Sequence, residues 1–129
     1  MPSSCGSECA DLSDALVAVG DYAVGPDSAV QNSERVALTQ LLYPRVQRIR
    51  MIGTAATALT WTAAGHFDAT IMFSNKPWDT MAGVSIAREA GLRVLDLDGS
   101  DHAPESRGTF AVSAGLAGPL LELIAQAMR

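Results

Sequence analysis

Short apolar runs alternate with amphipathic segments along the chain, and glycine or proline stands at many of the joins,. The run "ALVAVG" (Ala15–Gly20) predicts a buried strand closed by Gly20 and Asp21. "PDSAVQNSE" reads as loop, and a helix is expected from about Ser33 to Tyr43, where Pro44 stops it,. "VQRIRMI" (Val46–Ile52) brings apolar side chains back at every second position, the period of a strand with one wet face,. After Gly53 a helix is expected over roughly Thr54–Ala64, ended by Gly65,. "FDATIMF" (Phe67–Phe73) is the next strand. Asp79–Ala90 carries Met81, Val84 and Ile86 near helical spacing, which predicts a helix with Asp79 as its N-cap and Gly91 as its stop. "RVLDLDG" reads as a strand entering an Asp-Gly turn, and "TFAVSA" (Thr109–Ala114) as a last strand. "AGPLLELIAQAMR" predicts a C-terminal helix with Pro119 near its first turn,. This alternation argues an α/β fold, a largely parallel or mixed sheet of about five strands flanked by helices.

Length and charge narrow the picture. With 129 residues the chain is the size of one domain,. Residues 1–13 read as a disordered or tag-like tail and residues 14–129 as one α/β domain. Fourteen acidic residues against nine basic ones give a net charge of −5, which offers no general attraction to nucleic acid or an anionic membrane,. "MPSSCGSECADL" lacks the apolar core of a signal peptide, and no apolar run approaches the ~20 residues that span a bilayer,. A soluble, cytoplasmic protein is the expectation. Cys5 and Cys9 are the only cysteines. A structural zinc site needs four ligands, so they read as plain thiols.

Three stretches could carry chemistry. In "NKPWDTMAG" (Asn75–Gly83), Asp79 suits a helix start, where a carboxylate meets orphan N–H groups and the helix dipole,. A carboxylate fixed there still has an oxygen for a cation, and magnesium takes only one or two protein carboxylates. Lys76 reads as a solvated loop lysine or as a cation at the mouth of a site. In "RMIGTAATAL" (Arg50–Leu59), Gly53 permits close backbone approach and Thr54 opens a helix whose first N–H groups could meet an anion or a hydroxyl,. Plain strand-to-helix punctuation would read the same. "DLDGSD" (Asp96–Asp101) puts Gly99 and Arg107 where a calcium loop forbids them, so it reads as a solvated turn,. His66 and His102 read as surface side chains. Neither a Walker phosphate loop nor G-x-G-x-x-G occurs, which leaves a nucleotide-binding Rossmann reading without support,.

Taken in order, "RMIGTAATALTWTAAGHFDA", "KPWDTMAGVSIAREAGLRVLDLDG" and "FAVSAGLAGPLLELI" resemble the C-terminal half of the inositol monophosphatase family. That family carries a G-[ST]-A-A turn, an A-A-G-x-x-D-A strand entry and a W-D-x-A-A-G…E-A-G-G signature at these spacings. The resemblance runs from about Val46 to the C-terminus and more loosely back to "ALVAVG". It implies the C-terminal subdomain of a layered α/β/α/β fold and a Mg2+-dependent phosphomonoesterase acting on a small polyol, sugar or related phosphate. It makes Asp79 a catalytic metal ligand and makes Gly53, Thr54 and Ala55 the turn bordering the substrate.

Two departures qualify the expectation. The family's other metal carboxylates lie in an E-E-type stretch and a D-P-x-D-G-T motif, and neither is in these 129 residues. The chain therefore looks like half an enzyme, inactive alone, whose partners are the missing N-terminal half or further copies of itself. A non-catalytic oligomerisation or partner-binding module that keeps the fold is the alternative. Seven residues before the W-D aspartate, inositol-specific relatives carry a glutamate that contacts a substrate hydroxyl. Here that substrate-facing position is Met72, which implies poor discrimination for inositol,.

Overall fold

The computed structural model describes residues 11–74 and 77–129, with the side chains of Gln31, Pro77 and Asp79 left outside the description. Cys5, Cys9 and Lys76, read above as plain thiols and as a loop or site lysine, thus lie outside the described residues, as does the tail as far as residue 10. Leu12–Asp14 forms a short 3-10 turn, capped by the Asp11 carboxylate, which accepts from the Ser13 N–H. Nine elements follow: β1 Leu16–Gly20, α1 Ser28–Leu42, β2 Arg48–Ile52, α2 Ala55–Ala63, β3 Ala69–Met72, α3 Pro77–Glu89, β4 Arg93–Leu95, β5 Thr109–Val112 and α4 Ala114–Ala127. The five strands form one mixed sheet in the order β2-β1-β3-β5-β4. β1 pairs in parallel with β2 and β3, whereas β5 runs antiparallel to both β3 and β4.

Burial on both faces explains why β1 is a continuous apolar run and why β3 is buried throughout, with Thr70 as its one polar side chain,. Val17, Val19, Ile71, Phe110 and Val112 face a core shared with Leu38 and Leu42 of α1 and with Leu116, Leu120 and Ile124 of α4. On the other face Leu16, Ala18 and Ala111 meet Ala58 and Leu59 of α2 and Val84 and Ala87 of α3. β2, at the edge, is half-exposed as its alternation predicted.

Several expectations are corrected. The helix expected from Ser33 begins at Ser28, so most of "PDSAVQNSE" is helical. Its polar side chains tie down the preceding loop: Asn32 Oδ1 accepts from Ala23 N–H and Asn32 Nδ2 donates to Ala23 C=O. α3 begins at Pro77, which suits a first helical position, so Asp79 is its third residue and not its cap,. The last strand stops at Val112 and α4 starts at Ala114, which puts Pro119 inside the helix, where it forgoes a bond to the Gly115 carbonyl,. His102 is buried, not superficial, and the Asp96 carboxylate is no solvated tip: it accepts from the N–H groups of Leu97, Arg107 and Gly108.

Candidate functional site

The carboxyl ends of β1, β2 and β3 lie together because the three strands are parallel, and ligands of open α/β sheets bind at that edge,. A cleft of ≈ 430 Å³ opens there. Gly20 and Asp21 line it from the end of β1, Ile52 to Ala56 from the β2–α2 turn, and Met72 to Ser74 from the end of β3. Trp78, Thr80 and Ala82 of α3 and Arg35 of α1 complete it. The turn residues Gly53, Thr54 and Ala55 and the more distant Met72 are thereby brought into one space. The Asp79 side chain is outside the described residues, but its chain neighbours Trp78 and Thr80 both line the cleft.

Local structure explains the shape. Thr54 is the N-cap of α2, and its hydroxyl accepts from the Thr57 N–H at 3.2 Å. The Ala58 N–H bonds to the Thr54 carbonyl, so the N–H groups of Ala55 and Ala56, both at the cleft, lie outside the helix's own bonding pattern,. Two glycines allow close approach of flexible side chains. A Cβ on Gly53 would sit 3.1 Å from Asp21 Oδ2, and one on Gly20 would sit 2.8 Å from Met72 Sδ. Met72 is 5% exposed, so an apolar thioether floors the cleft under the β1 end. Trp78, at 81% exposure, stands at its rim.

The histidines do not belong to this space. His66 is exposed and meets the edge of Trp61, with ring centroids 6.5 Å apart. His102 lies within the β4–β5 connection, where its Nε2 hydrogen-bonds Thr109 Oγ1 at 3.1 Å and its Nδ1 is buried without a protein partner. Burial, aided by the Arg88 guanidinium and opposed by Asp96, pushes the His102 pKa below the usual histidine value. Among the described residues no group of three His, Cys, Asp or Glu side chains is placed to hold a metal ion. Asp21, Arg35, Phe73 and Ser74 are cleft residues that the sequence reading passed over. Asp21 was visible as the polar stop after "ALVAVG", but Arg35 sits mid-helix and carries no local signal.

The inositol monophosphatase family model matches residues 6–129. A probable inositol 1-monophosphatase, ImpA, from Mycobacterium tuberculosis is 31% identical over 115 residues, covering 89% of this chain and 43% of that protein. The fructose-1,6-bisphosphatase/inositol-1-monophosphatase of Thermotoga maritima is 31% identical, covering 85% of this chain and 39% of that protein. The solved Thermotoga maritima IMPase TM1415 superposes with a TM-score of 0.82 at 23% identity, over 94% of this chain and 44% of that one. The chain thus spans less than half the length of the relatives it matches.

Proposed function

The chain belongs to the inositol monophosphatase family, and from that premise we propose that it forms the C-terminal half of a magnesium-dependent phosphomonoesterase. The observation that carries this reading is the cleft at the strand ends, where the start of α2, the Met72 floor and the first turn of α3 converge. In this reading the Ala55 and Ala56 N–H groups, fixed by the Thr54 cap, bind a substrate oxygen at the positive end of α2. Gly53 lets the substrate approach the backbone. Met72 offers only a weak acceptor, so the substrate is a small polyol, sugar or related phosphate with no strong preference for inositol.

Asp79 supplies one carboxylate to the cation, from a helical first turn where negative charge is favourable,. Asp21 is the described carboxylate in the same cleft. One or two such oxygens suit the share of a magnesium shell that protein usually provides, so these residues fit part of a site and leave the rest to the portion of the family fold outside this chain. When bound, magnesium supplies Lewis-acid polarisation of the phosphoryl group and an activated water. The isolated chain is accordingly inactive. A cytoplasmic location and indifference to nucleic acid and membranes belong to the same reading, supported by the net charge of −5 and by the lack, among the described residues, of a helix long and apolar enough to cross a membrane.

Phosphate release from several monoesters tests this, with the chain alone, with the chain plus a family N-terminal half, and with Asp79→Asn in the assembled protein. Turnover is expected only in the assembled protein and should collapse in Asp79→Asn, while stability changes by about 1 kcal/mol or less, since only a first-turn charge is lost. Full turnover by the chain alone, or an Asp79→Asn assembly active at low magnesium, would refute it. The described side chains on the outer face of α2 and α3 carry few charges, which favours the second reading, a partner-binding module without catalysis, and the same assay separates the two.

A further inference from the structure

The connection between β4 and β5, residues 96–108, ends against the floor of the cleft. A Cβ on Gly108 would sit 2.6 Å from the Met72 carbonyl oxygen and 2.7 Å from Leu97 Cγ, so the connection presses on the backbone of β3. The Asp96 carboxylate staples its two ends together, accepting from the N–H groups of Leu97, Arg107 and Gly108. Arg107 carries the contact on to α1 by pairing with Glu34.

The middle of the connection is held by one residue. The His102 N–H donates to the Val94 carbonyl, Arg88 Nη2 of α3 donates to the His102 carbonyl at 2.7 Å, and the His102 ring meets the Thr109 hydroxyl. The bridge between Leu95 and Asp101 depends on the first of these bonds and on the Asp96 N–H, which donates to the Ser100 carbonyl. His102 thus pins the connection to β4, α3 and β5 at once.

That pin fits its seat only as a neutral ring. With Nε2 spent on Thr109, a neutral imidazole leaves a single uncharged nitrogen, Nδ1, buried without a protein partner,. An imidazolium would put a charged N–H there with no acceptor, and a buried charge left so costs more than a neutral group. The charged groups acting on the ring are the Arg88 guanidinium from α3, which disfavours the proton, and the Asp96 carboxylate from the same connection, which favours it. β5 meets the residue with the Thr109 hydroxyl and β4 with the Val94 carbonyl, and neither titrates. Burial first, and Arg88 next, outweigh Asp96 and hold the ring's pKa below the usual histidine value.

We propose that the β4–β5 connection is an acid-released latch: on protonation His102 leaves its seat, the middle of the connection lifts from β4 and α3, and the floor of the cleft at Met72 loses its backing. The Asp96 staple keeps both ends in place, so the sheet stays folded. The device goes beyond the phosphatase reading and does not depend on it, since it changes the shape of the cleft whatever ligand enters. The closed latch has its full strength above the ordinary histidine value of about 6.5 and weakens as pH falls below it. Opening takes up one proton, so its equilibrium constant rises by at most about tenfold per pH unit.

Amide hydrogen exchange of the 129-residue chain between pH 7.5 and 5.5, corrected for the intrinsic rate, tests this. Protection at the His102 and Asp96 amides should fall several-fold as pH drops. Addition of about 1 M urea should leave exchange at these two amides unchanged while speeding it at Val17, the mark of local rather than global opening. Relaxation dispersion, which detects minor states on the μs–ms scale, should grow at His102 and at Met72 over the same pH range. His102→Gln should abolish the pH dependence, and His66→Gln, a change at an exposed histidine, should leave it intact. Thermal unfolding reports whether His102→Gln folds. If it does not, the ring nitrogen resonances of His102 in the native chain must follow the same pH course as the amides. Exchange at His102 that ignores pH, that occurs only through urea-sensitive unfolding, or that keeps its pH dependence in His102→Gln overturns the proposal. So does a Met72 free of dispersion while His102 shows it, because the latch would then be severed from the cleft.

Discussion

A carboxylate left at 1% exposure is tolerable only if hydrogen bonds replace its water, and Asp68 has them,. Its Oδ2 accepts from the Leu16 N–H at 2.8 Å, its own N–H donates to the Leu16 carbonyl, and its carbonyl accepts from Ser113. One residue thus ties the start of β1 to the end of β5, underneath the strands whose far ends form the cleft. Asp68→Ala should lower stability by about 1–3 kcal/mol, because the Leu16 donor stays buried without its acceptor. Asp68→Asn, which keeps an acceptor, should lose less, and urea unfolding of both variants would show the order. His102 gives a pH dependence of known sign. Its folded pKa is depressed, mainly by burial and next by Arg88, so the unfolded chain binds the proton more readily. Stability should be complete above about pH 6.5, the ordinary histidine value, and fall as pH drops below it. Denaturation at pH 7.5, 6.5 and 5.5 would reveal the slope, and His102→Gln should flatten it. Neither residue was legible from sequence. "FDATIMF" hides a structural aspartate at the entry to an apolar strand, and a lone histidine says nothing of burial until its own loop folds.

Elements were more legible than residues, for a physical reason. The core of each helix and strand follows from apolar periodicity, so β1, the α2 segment and the order of all nine elements agree with the pattern. Ends follow from side-chain bonding that the pattern does not contain. Ser28 to Asn32 looked like loop because Ser, Asp and Asn favour turns, yet Asn32 spends its amide on Ala23 from within the helix,. The C-terminal helix expected from Ala117 begins at Ala114, so Gly115 lies inside α4. The cleft was half legible: the Gly53–Ala55 turn is a local motif, whereas Arg35 and Asp21 reach it only through the parallel pairing of distant strands. Glycine in mid-helix has the same non-local cause at Gly83. A Cβ there would stand 2.8 Å from both Cβ and Cδ1 of Leu59, so the absence of a side chain lets α3 pack against α2. Alanine would gain about 1 kcal/mol in helix propensity, but overpacking typically costs about 1–3 kcal/mol. Gly83→Ala should therefore be net destabilising, by about 1 kcal/mol, and Leu59→Ala in the same chain should cancel part of the strain. A Gly83→Ala chain more stable than the parent in urea would show that the two helices are not in close contact.

On the scale of the whole molecule, the two helix layers differ in what they show to solvent. The outer side of α2 and α3 presents Ala56, Thr60, Trp61, Trp78, Met81, Ala82, Ser85 and Ile86, and these described side chains carry no charge until Arg88. Trp61, Met81 and Ile86 are 46%, 41% and 44% exposed. A charge-poor patch with large apolar groups is the signature of a buried interface, and patches beyond a few hundred Å² are seldom left bare on a monomer. The family relatives are more than twice as long as this chain, so the rest of the fold offers material to cover that face. Without it, a second copy can serve, and burial at roughly 25 cal/mol per Å² favours association before its entropic costs. The isolated chain should therefore self-associate through α2–α3, with a two-fold dimer the simplest closed form. Light scattering over a concentration series should show mass rising with concentration. Met81→Glu, which buries a charge at the centre of the contact, should shift the species toward monomer without unfolding it, since Met81 is partly exposed in the single chain. Adding a family N-terminal half should compete with self-association for the same face and protect Trp61 from quenching. A chain that stays monomeric at high concentration and ignores the added half would show that this face is meant for solvent, and the half-enzyme reading would fall with it.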